Sequence, residues 1–591
     1  MLYPNNDKIH TKCKKKCNHE YIITTPSALV IDSFTNNNAG YVNKWLLKTP
    51  YGMEEGTTIE ELVALFDKIK NELKLEVRSE YNKDTIIIYT DELAKCYGFL
   101  HNYYPNIEAF SSYYFTFDNF EIRDITEFFT IKIDDIYAKI NYILEHAEVL
   151  YENIFFNDKY FYITPVQKIR KDIKKNFNDD NFELFPENTL EYNNLYQSYI
   201  GGFCICNYPK LDVKRYNTIE VDRKSAYIYD LLIEKHICEP LHKENKEYFD
   251  YYFENSDDYY IQALLKIRIS GAKRGYELFK DVYGDNLEPN KETYIRINNI
   301  DLKVLMKLCK CVDYECVSMD IAKKDYLPRY IAEIIEREYI KKVELERTKP
   351  NSPELRLQKI IVNGIYGSTV KKIQKDFITE KNNAFLSPYW GVLTTSYARN
   401  NLISLAIELI NWLYTDTDSI YCKECEENYK IIKNYNKNIS KKVYNYCMKN
   451  NLNYDIFCEL GKFVKKGVFK RFKANGKKQY MHTDVFGNFE LVASGITKKY
   501  GEEAYELNEL ERGSVKVGYI TEDVTECEID GIKYYSNGSY FEKDEDFNTK
   551  LRLKIYLASH IFKGRKKVWI TNLIVKIVNI AEQYILLMKL I

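Results

Sequence analysis

The sequence Tyr414-Thr-Asp416-Thr-Asp418-Ser419 places two carboxylates two residues apart, between the apolar, β-forming flanks Trp412–Leu413 and Ile420–Tyr421. In a strand, residues two apart project from the same face of the sheet. Two close carboxylates repel each other unless a cation lies between them. A solvated acidic turn is the alternative interpretation, but such a turn would not need apolar flanks. The stretch therefore predicts a β-hairpin that presents a cation site.

A third carboxylate, Asp222, ends the apolar stretch Thr218–Val221 and is followed by Arg223-Lys-Ser-Ala-Tyr227. This pattern predicts a strand that delivers Asp222 at its end, before the chain turns into a helix. A carboxylate there can bind a hard divalent cation, and the first N–H groups of the helix can receive phosphate oxygens. Taken alone, the aspartate is equally well explained as a helix cap.

Between these two motifs, Asn351-Ser-Pro-Glu354 is a typical helix start, with a capping residue, a proline in the first turn and then an acid. Lys359, Asn363 and Tyr366 or Gly367 follow at spacings of four and then three or four residues, so they share one helix face. A lysine, an amide and an aromatic ring in a row suit a triphosphate, a sugar and a base. Taken alone, the pattern also fits an ordinary surface lysine on an amphipathic helix.

The order of the three motifs resembles that of family B DNA polymerases. Asp222–Tyr227 is similar to the first palm motif (Asp, two residues, Ser, one residue, Tyr), Lys359–Gly367 to the fingers-helix motif, and Tyr414–Ser419 to the third motif. Adjacent aspartates, which reverse transcriptases carry in the corresponding hairpin, are not found here. The resemblance implies an α/β multidomain fold, in which an RNase H-like exonuclease-type domain precedes a right-hand polymerase with palm, fingers and thumb.

The chain has 591 residues and 45% hydrophobic residues, which is enough for several cores. The expected domains are an exonuclease-like domain (1–185), a linker with the start of the palm (186–274), an insertion that contacts a priming protein or DNA (275–335), the fingers helices (336–400), the palm (401–500), and the thumb with a C-terminal helix (501–591).

The resemblance also implies a reaction, phosphoryl transfer from a dNTP to the 3′-hydroxyl of a DNA primer-template. Asp222 and Asp418, with the backbone carbonyl of Arg223, would bind two Mg²⁺ ions, which Mn²⁺ can replace, and Asp416 would complete the catalytic site. Tyr227 would exclude a ribose 2′-hydroxyl. The residues expected to contact the dNTP are Ser225, Tyr227, Arg347, Lys359, Asn363, Tyr366 and Gly367.

Two further matches indicate the protein-primed subgroup of phages and linear plasmids. Tyr199-Ile-Gly201-Gly202 resembles its Tyr-x-Gly-Gly signature, and Lys478-Gln-Tyr480 its Lys-x-Tyr motif. Lys462–Lys478 holds eight Lys or Arg and no acid, with Lys470 and Arg471 at its centre, and such a run suits a phosphodiester backbone. A basic run can also be a solvated face. The resemblance implies a separate terminal protein whose hydroxyl primes synthesis. It also implies that DNA is contacted by Tyr199, Gly201, Gly202, Lys470, Arg471, Lys478 and Tyr480.

Two other functions remain open from the sequence. The second insertion of the protein-primed subgroup is short here, so a nucleic-acid-primed polymerase of a mobile element is an alternative interpretation. A non-catalytic DNA-binding relic is the third interpretation. Retention of Asp222, Asp416, Asp418 and Lys359 argues against it, because a relic has no physical reason to keep three repelling carboxylates.

The N-terminal part resembles the exonuclease of the family with several ligands missing. Asp32, Asp91 and Tyr137 match its motifs, but no Glu follows two residues after Asp32, and Asn141 stands where the last aspartate belongs. An amide cannot replace the charge of a metal-binding carboxylate. We therefore expect a retained fold without proofreading.

The remaining features concern the cell compartment and the two chain ends. The 14 cysteines follow no disulfide framework, and no signal peptide is visible, so a cytoplasmic protein is expected, in the host cell if it is viral. Cys13, Cys17 and His19 lack a matching second pair of zinc ligands and indicate a decorated loop. Trp569–Ile591 repeats apolar residues at helical spacing between charges, which predicts a packed helix and no membrane partner. The net charge of −1 does not exclude a nucleic-acid partner.

Overall fold

The computed structural model divides into two compact units, one formed by Met1–Pro165, Asn351–Leu357 and Ser514–Ile591, the other by Val166–Pro350 and Gln358–Gly513. Cys13, Cys17, His19 and the expected C-terminal helix lie outside the described residues. The structure describes residues 9–12, 20–23, 26–33, 42–75, 77–79, 82–83, 85–101, 103–104, 107–111, 114–126, 128–131, 133–150, 169, 186, 188–206, 217–272, 290–369, 386–476, 478–493, 526–529, 532–535, 538–539 and 554–555.

The first unit is built on a mixed seven-stranded sheet with the order β5-β4-β3-β8-β11-β10-β9, in which β8 runs parallel to β3 and β11. Its strands, with the separate pairs β1–β2 and β6–β7, are β1 (Ile9–Lys12), β2 (Glu20–Ile23), β3 (Ser27–Ser33), β4 (Val42–Thr49), β5 (Gly52–Gly56), β6 (Val77–Ser79), β7 (Asn82–Lys83), β8 (Ile86–Thr90), β9 (Glu108–Ser111), β10 (Tyr114–Phe117) and β11 (Phe120–Asp124).

The central strand β8 is buried at every position, as a parallel strand covered on both faces requires. Helices α1 (Ile59–Glu72), α2 (Leu93–His101) and α3 (Ile136–Leu150) accompany this sheet. Helix α1 begins with a capping box, in which Thr58 and Glu61 satisfy each other's backbone N–H groups. Its buried face, which includes Phe66, packs into the core formed by the sheet and α2. The expected α/β character of this part is confirmed.

The second unit contains a central antiparallel sheet with the order β12-β19-β20-β13-β21-β22-β23. A second antiparallel sheet has the order β14-β18-β16-β17, with β15 also paired to β18. The strands are β12 (Phe203–Cys206), β13 (Thr218–Arg223), β14 (His236–Ile237), β15 (His242–Glu244), β16 (Tyr259–Ala272), β17 (Glu292–Asn298), β18 (Cys309–Asp325), β19 (Trp412–Thr417), β20 (Ser419–Lys423), β21 (Phe463–Gly476), β22 (Gln479–Asp484) and β23 (Phe489–Ala493).

Helices cover and connect these two sheets. They are α4 (Thr189–Ser198), α5 (Ala226–Ile233), a 3₁₀ turn (Lys246–Tyr248), α6 (Phe249–Glu254), α7 (Asn299–Leu308), α8 (Arg329–Thr348), α9 (Pro353–Gly367), α10 (Pro388–Ala406), α11 (Glu426–Asn450) and α12 (Tyr454–Phe457). The start of α9, as far as Leu357, is assigned to the first unit. Helix α10 is buried along most of its length, after a start capped by Ser387 with Pro388 in the first turn. One hydrophobic core includes residues of both sheets, of α7 and of α10.

The C-terminal part of the first unit contributes two short antiparallel pairs, formed by β24 (Glu526–Ile529), β25 (Ile532–Tyr535), β26 (Gly538–Ser539) and β27 (Lys554–Ile555). Over the described residues, every helix is too short or too polar to cross a bilayer. The expected domain boundaries remain predictions. The second sheet of the second unit, from β14 to β18, extends well upstream of the insertion expected at 275–335.

Candidate active site

The predicted hairpin is present, and strand β13 lies beside it. The pair Asp416–Ser419 closes the turn between β19 and β20, and Thr417 takes the left-handed backbone (φ 62°) that this tight turn requires. On the other side of β20, Asp222 is the register partner of Ser419. The N–H of Arg223 donates to the backbone oxygen of Asp418 at 2.9 Å. Pairing of the strands thus brings Asp222 next to a hairpin that lies far downstream in the sequence.

The carboxylates at this edge of the sheet repel one another. Burial, followed by the charges of Asp222 and Asp416, raises the pKa of Asp418 to about 7. The described residues hold no cluster of three His, Cys, Asp or Glu side chains that by itself forms a metal site. Mg²⁺ commonly uses one or two carboxylates together with substrate phosphates and water, rather than a complete protein cage. The residues therefore fit a Mg²⁺ ion, which would relieve the repulsion.

Lys342, a residue of α8 that the sequence analysis did not identify, contacts the start of helix α5. The ammonium group of Lys342, on α8, donates to the hydroxyl of Ser225 at 2.8 Å. Ser225 has a left-handed backbone (φ 49°) and precedes the first turn of α5. The Lys342 side chain is 13% exposed, and burial lowers its pKa. No spacing rule links residue 342 to residue 225, so only the fold reveals this contact.

The exposed face of α9 carries the predicted row of residues. Lys359, Asn363 and Gly367 are all exposed, as the four-residue spacing predicts. The ammonium of Lys359 lies 3.5 Å from a carboxylate oxygen of Glu346, and that of Lys342 lies 3.6 Å from the same oxygen. Glu346 therefore joins two lysines from neighbouring helices into one cationic cluster.

Arg347, which was expected beside Lys359, is engaged elsewhere. Its guanidinium donates to the backbone oxygen of Asp455 at 2.7 Å. Lys342, five residues upstream on α8, makes the contact with the start of α5. Binding of a dNTP by Arg347 remains a prediction without a supporting contact.

Three predicted tyrosines meet beside the carboxylates. The rings of Tyr227 and Tyr366 stack with centroids 4.0 Å apart and planes 7° apart. Burial, and then the charge of Asp418, raises the pKa of Tyr227. Burial and contacts with the Tyr199 and Tyr227 hydroxyls raise the pKa of Tyr366. A Cβ atom on Gly202 would lie 2.8 Å from the Thr417 side chain and 3.2 Å from the Tyr227 hydroxyl. The absence of a side chain therefore allows the backbone before β12 to lie close to Thr417 and Tyr227.

The segment Tyr199–Gly202 is tied down by a buried arginine that the sequence analysis did not identify. Arg399, on α10, donates to the backbone oxygens of Ile200 and Gly201. Its guanidinium also forms a buried ion pair with Asp301 at 2.6 Å. Each N–H of an arginine needs an acceptor when it is buried, and this site supplies them from α7 and the β12 approach. The Tyr-x-Gly-Gly segment is therefore anchored next to Tyr227.

Two further contacts, which the sequence analysis did not predict, lie next to the carboxylates: that of Cys204 with Asp416 and that of the Arg223 side chain with Asp230. The thiol of Cys204, on β12, donates to Oδ1 of Asp416 at 3.0 Å. Arg223 turns its side chain inward and binds Asp230 through two bonds of 2.8 and 2.9 Å. Both Arg223 and Asp230 are almost fully buried. The expected use of the Arg223 backbone carbonyl as a metal ligand remains a prediction.

The basic stretch Lys462–Lys478 includes the long strand β21, and Lys478 lies in the turn before β22. The side chains of Lys470, Arg471 and Lys478 are exposed. Lys466 lies 3.6 Å from Asp222, which connects this strand to the carboxylates. Tyr480, expected to touch DNA, is instead buried in an aromatic cluster with Tyr414, Tyr421 and Phe472. In this structure its ring supports the hairpin from within.

In the first unit the expected exonuclease residues have other partners. Asp91 forms an ion pair with Lys139 at 3.1 Å. The amide of Asn43 donates to Asp32 at 2.9 Å. Tyr137 binds Lys44 and Glu55, and Asn141 accepts a bond from Lys48. A lysine ammonium therefore lies against the carboxylate that was expected to bind metal.

Solved structures of known proteins share the fold of this chain, while comparisons of its sequence find no relative. The chain matches no protein-family model and no curated protein. Phi29 DNA polymerase in complex with primer-template DNA aligns with a TM-score of 0.57 and 15% identity, over 88% of this chain and 100% of the other. The same polymerase with primer-template DNA and incoming nucleotides gives a TM-score of 0.55 and 14% identity, over 88% and 99%. Its orthorhombic crystal form gives 0.56 and 16%, over 88% and 100%. The chain thus has the fold of phi29 DNA polymerase, a protein-primed family B polymerase, which confirms the predicted resemblance at the level of the fold.

Proposed function

We propose that this protein is a DNA-directed DNA polymerase that transfers a nucleotide from a dNTP to a primer hydroxyl. The observation that carries the proposal is the adjacency of Asp222 to Asp418 across β13 and β20, beside the Ser225–Lys342 contact. Carboxylates next to phosphate-binding groups are what phosphoryl transfer requires. The fold shared with phi29 DNA polymerase is consistent with this chemistry.

The residues have separate roles in this proposal. Asp222 and Asp418 would hold Mg²⁺, and Asp416 would support them. When bound, Mg²⁺ would lower the pKa of the primer hydroxyl and neutralise charge on the leaving pyrophosphate. Lys342 and Lys359 would bind the triphosphate, together with the N–H groups at the start of α5. Because Glu346 already contacts both lysines, triphosphate binding would release it from them.

Selection of the nucleotide would depend on the stacked tyrosines. Tyr227 would lie under the sugar, where its ring leaves no room for a 2′-hydroxyl. Tyr366 would hold Tyr227 in place and, with Asn363 and Gly367, would contact the new base pair. The stack of Tyr227 on Tyr366 supports this role, because a ring fixed by another ring is a rigid wall.

The DNA would lie along the exposed basic residues of β21 and of the turn that follows it. Lys470, Arg471 and Lys478 would contact phosphates, and the Tyr199–Gly202 segment would contact the template side. Phosphate contacts position a duplex without reading its sequence, as replication requires. We propose a separate terminal protein as the source of the first hydroxyl, and replication of a phage or linear-plasmid genome as the setting. A nucleic-acid primer in a mobile element is the second candidate.

We further propose that the first unit is an exonuclease-type domain without proofreading. The ion pair of Lys139 with Asp91 supports this, because the ammonium satisfies a carboxylate that a catalytic metal would need. The amide of Asn141 adds no charge to compensate. Such a domain would still be able to guide DNA or a priming partner.

The test of the central proposal is incorporation of dNTPs on a primed single-stranded template with Mg²⁺. Wild type should incorporate, and Asp418→Ala should lose activity by several orders of magnitude. Asp67→Ala, an exposed aspartate on α1, is the matched control and should remain active. If wild type and Asp418→Ala are equally inactive with the primed template and with a candidate terminal protein, the proposal is wrong. Synthesis only in the presence of that protein would establish protein priming.

A further inference from the structure

A cavity of about 480 Å³ lies in the second unit, and none of its lining residues belongs to the candidate active site. Its walls come from the end of α5, the loop after α6, α7, the end of β18, and helices α8, α10 and α11. The lining side chains include six Lys or Arg but only two carboxylates, Glu234 and Asp257. This excess of positive charge is local, since the whole chain has a net charge of −1.

Three of the cations already have acidic partners. Lys235 pairs with Asp258 and Lys442 with Glu234, while Arg329 binds Glu333 and Glu336. The other three cations are Lys303, Lys324 and Lys449, and in the described part of the chain none of them lies within 4.0 Å of a carboxylate oxygen. The positive charge that faces the cavity therefore comes mainly from these three lysines.

Lys324 is the central observation. Its side chain is 6% exposed, and its ammonium donates to the backbone oxygen of Ser256 and to the Tyr397 hydroxyl at 3.0 Å. An ammonium has three N–H groups, so these two acceptors leave one unsatisfied. Burial lowers the pKa of Lys324 to about 8, which still leaves it mainly charged at neutral pH. The carboxylates of Asp257 and Glu234 act on Lys324 only from beyond ion-pair distance, and Glu234 is already paired with Lys442. A buried cation without a counterion in contact is costly, and a bound anion would reduce that cost.

The other two lysines are held in place by aromatic rings. The ammonium of Lys449 lies 4.6 Å from the centroid of Tyr326, and that of Lys303 lies 5.9 Å from the centroid of Phe253. Cation–π contacts of this kind orient an ammonium without neutralising it. The side chains of Asn400, Asn445 and Asn450 also line the cavity. Ammonium and amide donors in one cavity match the acceptor oxygens of a phosphate group.

We propose that this cavity binds a phosphate-bearing anion, with Lys324 at its centre and Lys303 and Lys449 at its wall. The volume is within the range of pockets for small molecules, which accommodates a nucleotide or a short polyphosphate. The site is independent of the proposed polymerase reaction, since it uses neither the carboxylates nor the triphosphate-binding lysines.

A chain of hydrogen bonds connects the cavity to the candidate active site. Asn401 lines the cavity and donates to Oδ1 of Asp230 at 3.0 Å. Asp230 in turn binds Arg223, the neighbour of Asp222 in the sequence. An anion that moves Asn401 would therefore change the buried pair behind the catalytic strand.

The test is isothermal titration calorimetry of the full chain in EDTA, with inorganic tripolyphosphate and dATP as probes. Lys324→Met and the cavity-wall double variant Lys303→Ala/Lys449→Ala should each weaken binding by about tenfold or more, because charge-assisted hydrogen bonds are lost. Lys359→Ala should weaken only the separate binding of these probes at the candidate active site, and should leave one binding site of unchanged affinity in the cavity. Melting temperatures identify any variant that fails to fold. If Lys324→Met is unfolded, the double variant Lys303→Ala/Lys449→Ala still tests the site.

In the Lys359→Ala background, equal affinity for both probes would support a phosphate site in the cavity, and tighter binding of dATP would support a nucleotide site there. The proposal is overturned if wild type binds neither probe, or if both cavity variants bind as wild type does. It is also overturned if Lys359→Ala abolishes binding, since the anion would then be in the active site. None of these outcomes depends on DNA synthesis, so failure of the polymerase proposal is a separate result.

Discussion

The thiol of Cys204 donates a hydrogen bond to Asp416 between paired strands, at 3.0 Å. The two residues are direct register partners on β12 and β19. Burial and the Asp416 carboxylate raise the pKa of this thiol to about 12, so it remains protonated and keeps its proton for the bond. Cys204 therefore fixes the orientation of Asp416 without adding charge to the carboxylate site.

Substitutions of Cys204 should separate the effect of its hydrogen bond to Asp416 from the effect of its side-chain volume. Cys204→Val should raise the Mg²⁺ concentration for half-maximal synthesis and lower kcat, each by about tenfold, because partners of metal-site carboxylates have effects of this size. Cys204→Ser keeps a donor and should recover most of the loss. Cys447→Ala, which removes a buried thiol on α11, is the control. Equal Mg²⁺ dependence in the Val and Ser variants would contradict a positioning role.

Lys342 and Arg347 offer a matched pair on one helix. Lys342→Met removes the ammonium beside Ser225 and should raise KM for dNTP by about tenfold or more, as expected for a lost charge-assisted contact. Arg347→Met should change KM by about twofold or less. Steady-state kinetics with saturating primer-template provide the measurement. The reverse order of effects would show that the sequence expectation for Arg347 is correct.

Tyr227 should control the choice between deoxyribonucleotides and ribonucleotides. Tyr227→Val removes the ring stacked on Tyr366, so the preference for dNTP over rNTP should fall by roughly tenfold or more. Tyr227→Phe keeps the ring and should retain the preference. The readout is the ratio of kcat/KM for the two nucleotides. Unchanged discrimination in Tyr227→Val would place the sugar elsewhere.

His236 should make the second unit sensitive to acid. It is fully buried, its Nε2–H donates to the Asp230 oxygen at 3.0 Å, and burial lowers its pKa from 6.5 to about 4. The unfolded chain therefore binds the proton more readily between these values. Above pH 6.5 the free energy of unfolding contains the full contribution of neutral His236. As pH falls from 6.5 towards 4, the free energy of unfolding decreases by about 3 kcal/mol at most. His236→Gln should flatten the decrease in melting temperature between pH 7 and 4.5, and an unchanged slope would exclude this role.

The first unit should not remove mismatched primer ends. A primer with a mismatched 3′ nucleotide should stay intact when incubated with the wild-type chain and Mg²⁺ in the absence of dNTPs. This follows from the engagement of Asp91 by Lys139 and from the amide at Asn141. Metal-dependent shortening of the primer that disappears in Asp32→Ala would show an active exonuclease.

Periodicity was sufficient to predict the groups that a single element displays. The hairpin of Asp416 and Asp418 and the exposed row of Lys359 and Asn363 follow from the repeats of strands and helices. The placement of Asp222 beside the hairpin came from a motif resemblance. A single sequence without such a motif does not specify which strands pair.

Contacts between distant elements could not be predicted in the same way. Lys342 reaches Ser225 only because α8 packs near the start of α5, and Cys204 reaches Asp416 only because of the register of β12 on β19. Tyr480 was expected to contact DNA, but its ring is buried in an aromatic cluster beside Tyr414. In each case tertiary packing determined the partner, and the local residue pattern contained no information about it.

The position of β13 between β20 and β21 has a consequence for biosynthesis. Its two neighbours begin at Ser419 and Phe463, so both are translated long after Asp222 has left the ribosome. Pairing over such separations gives the central sheet a high contact order, and folding of such sheets is slow. A nascent chain that stops before β21 leaves β13 with an open edge. The exposed edge makes such truncated products targets for chaperones and proteases.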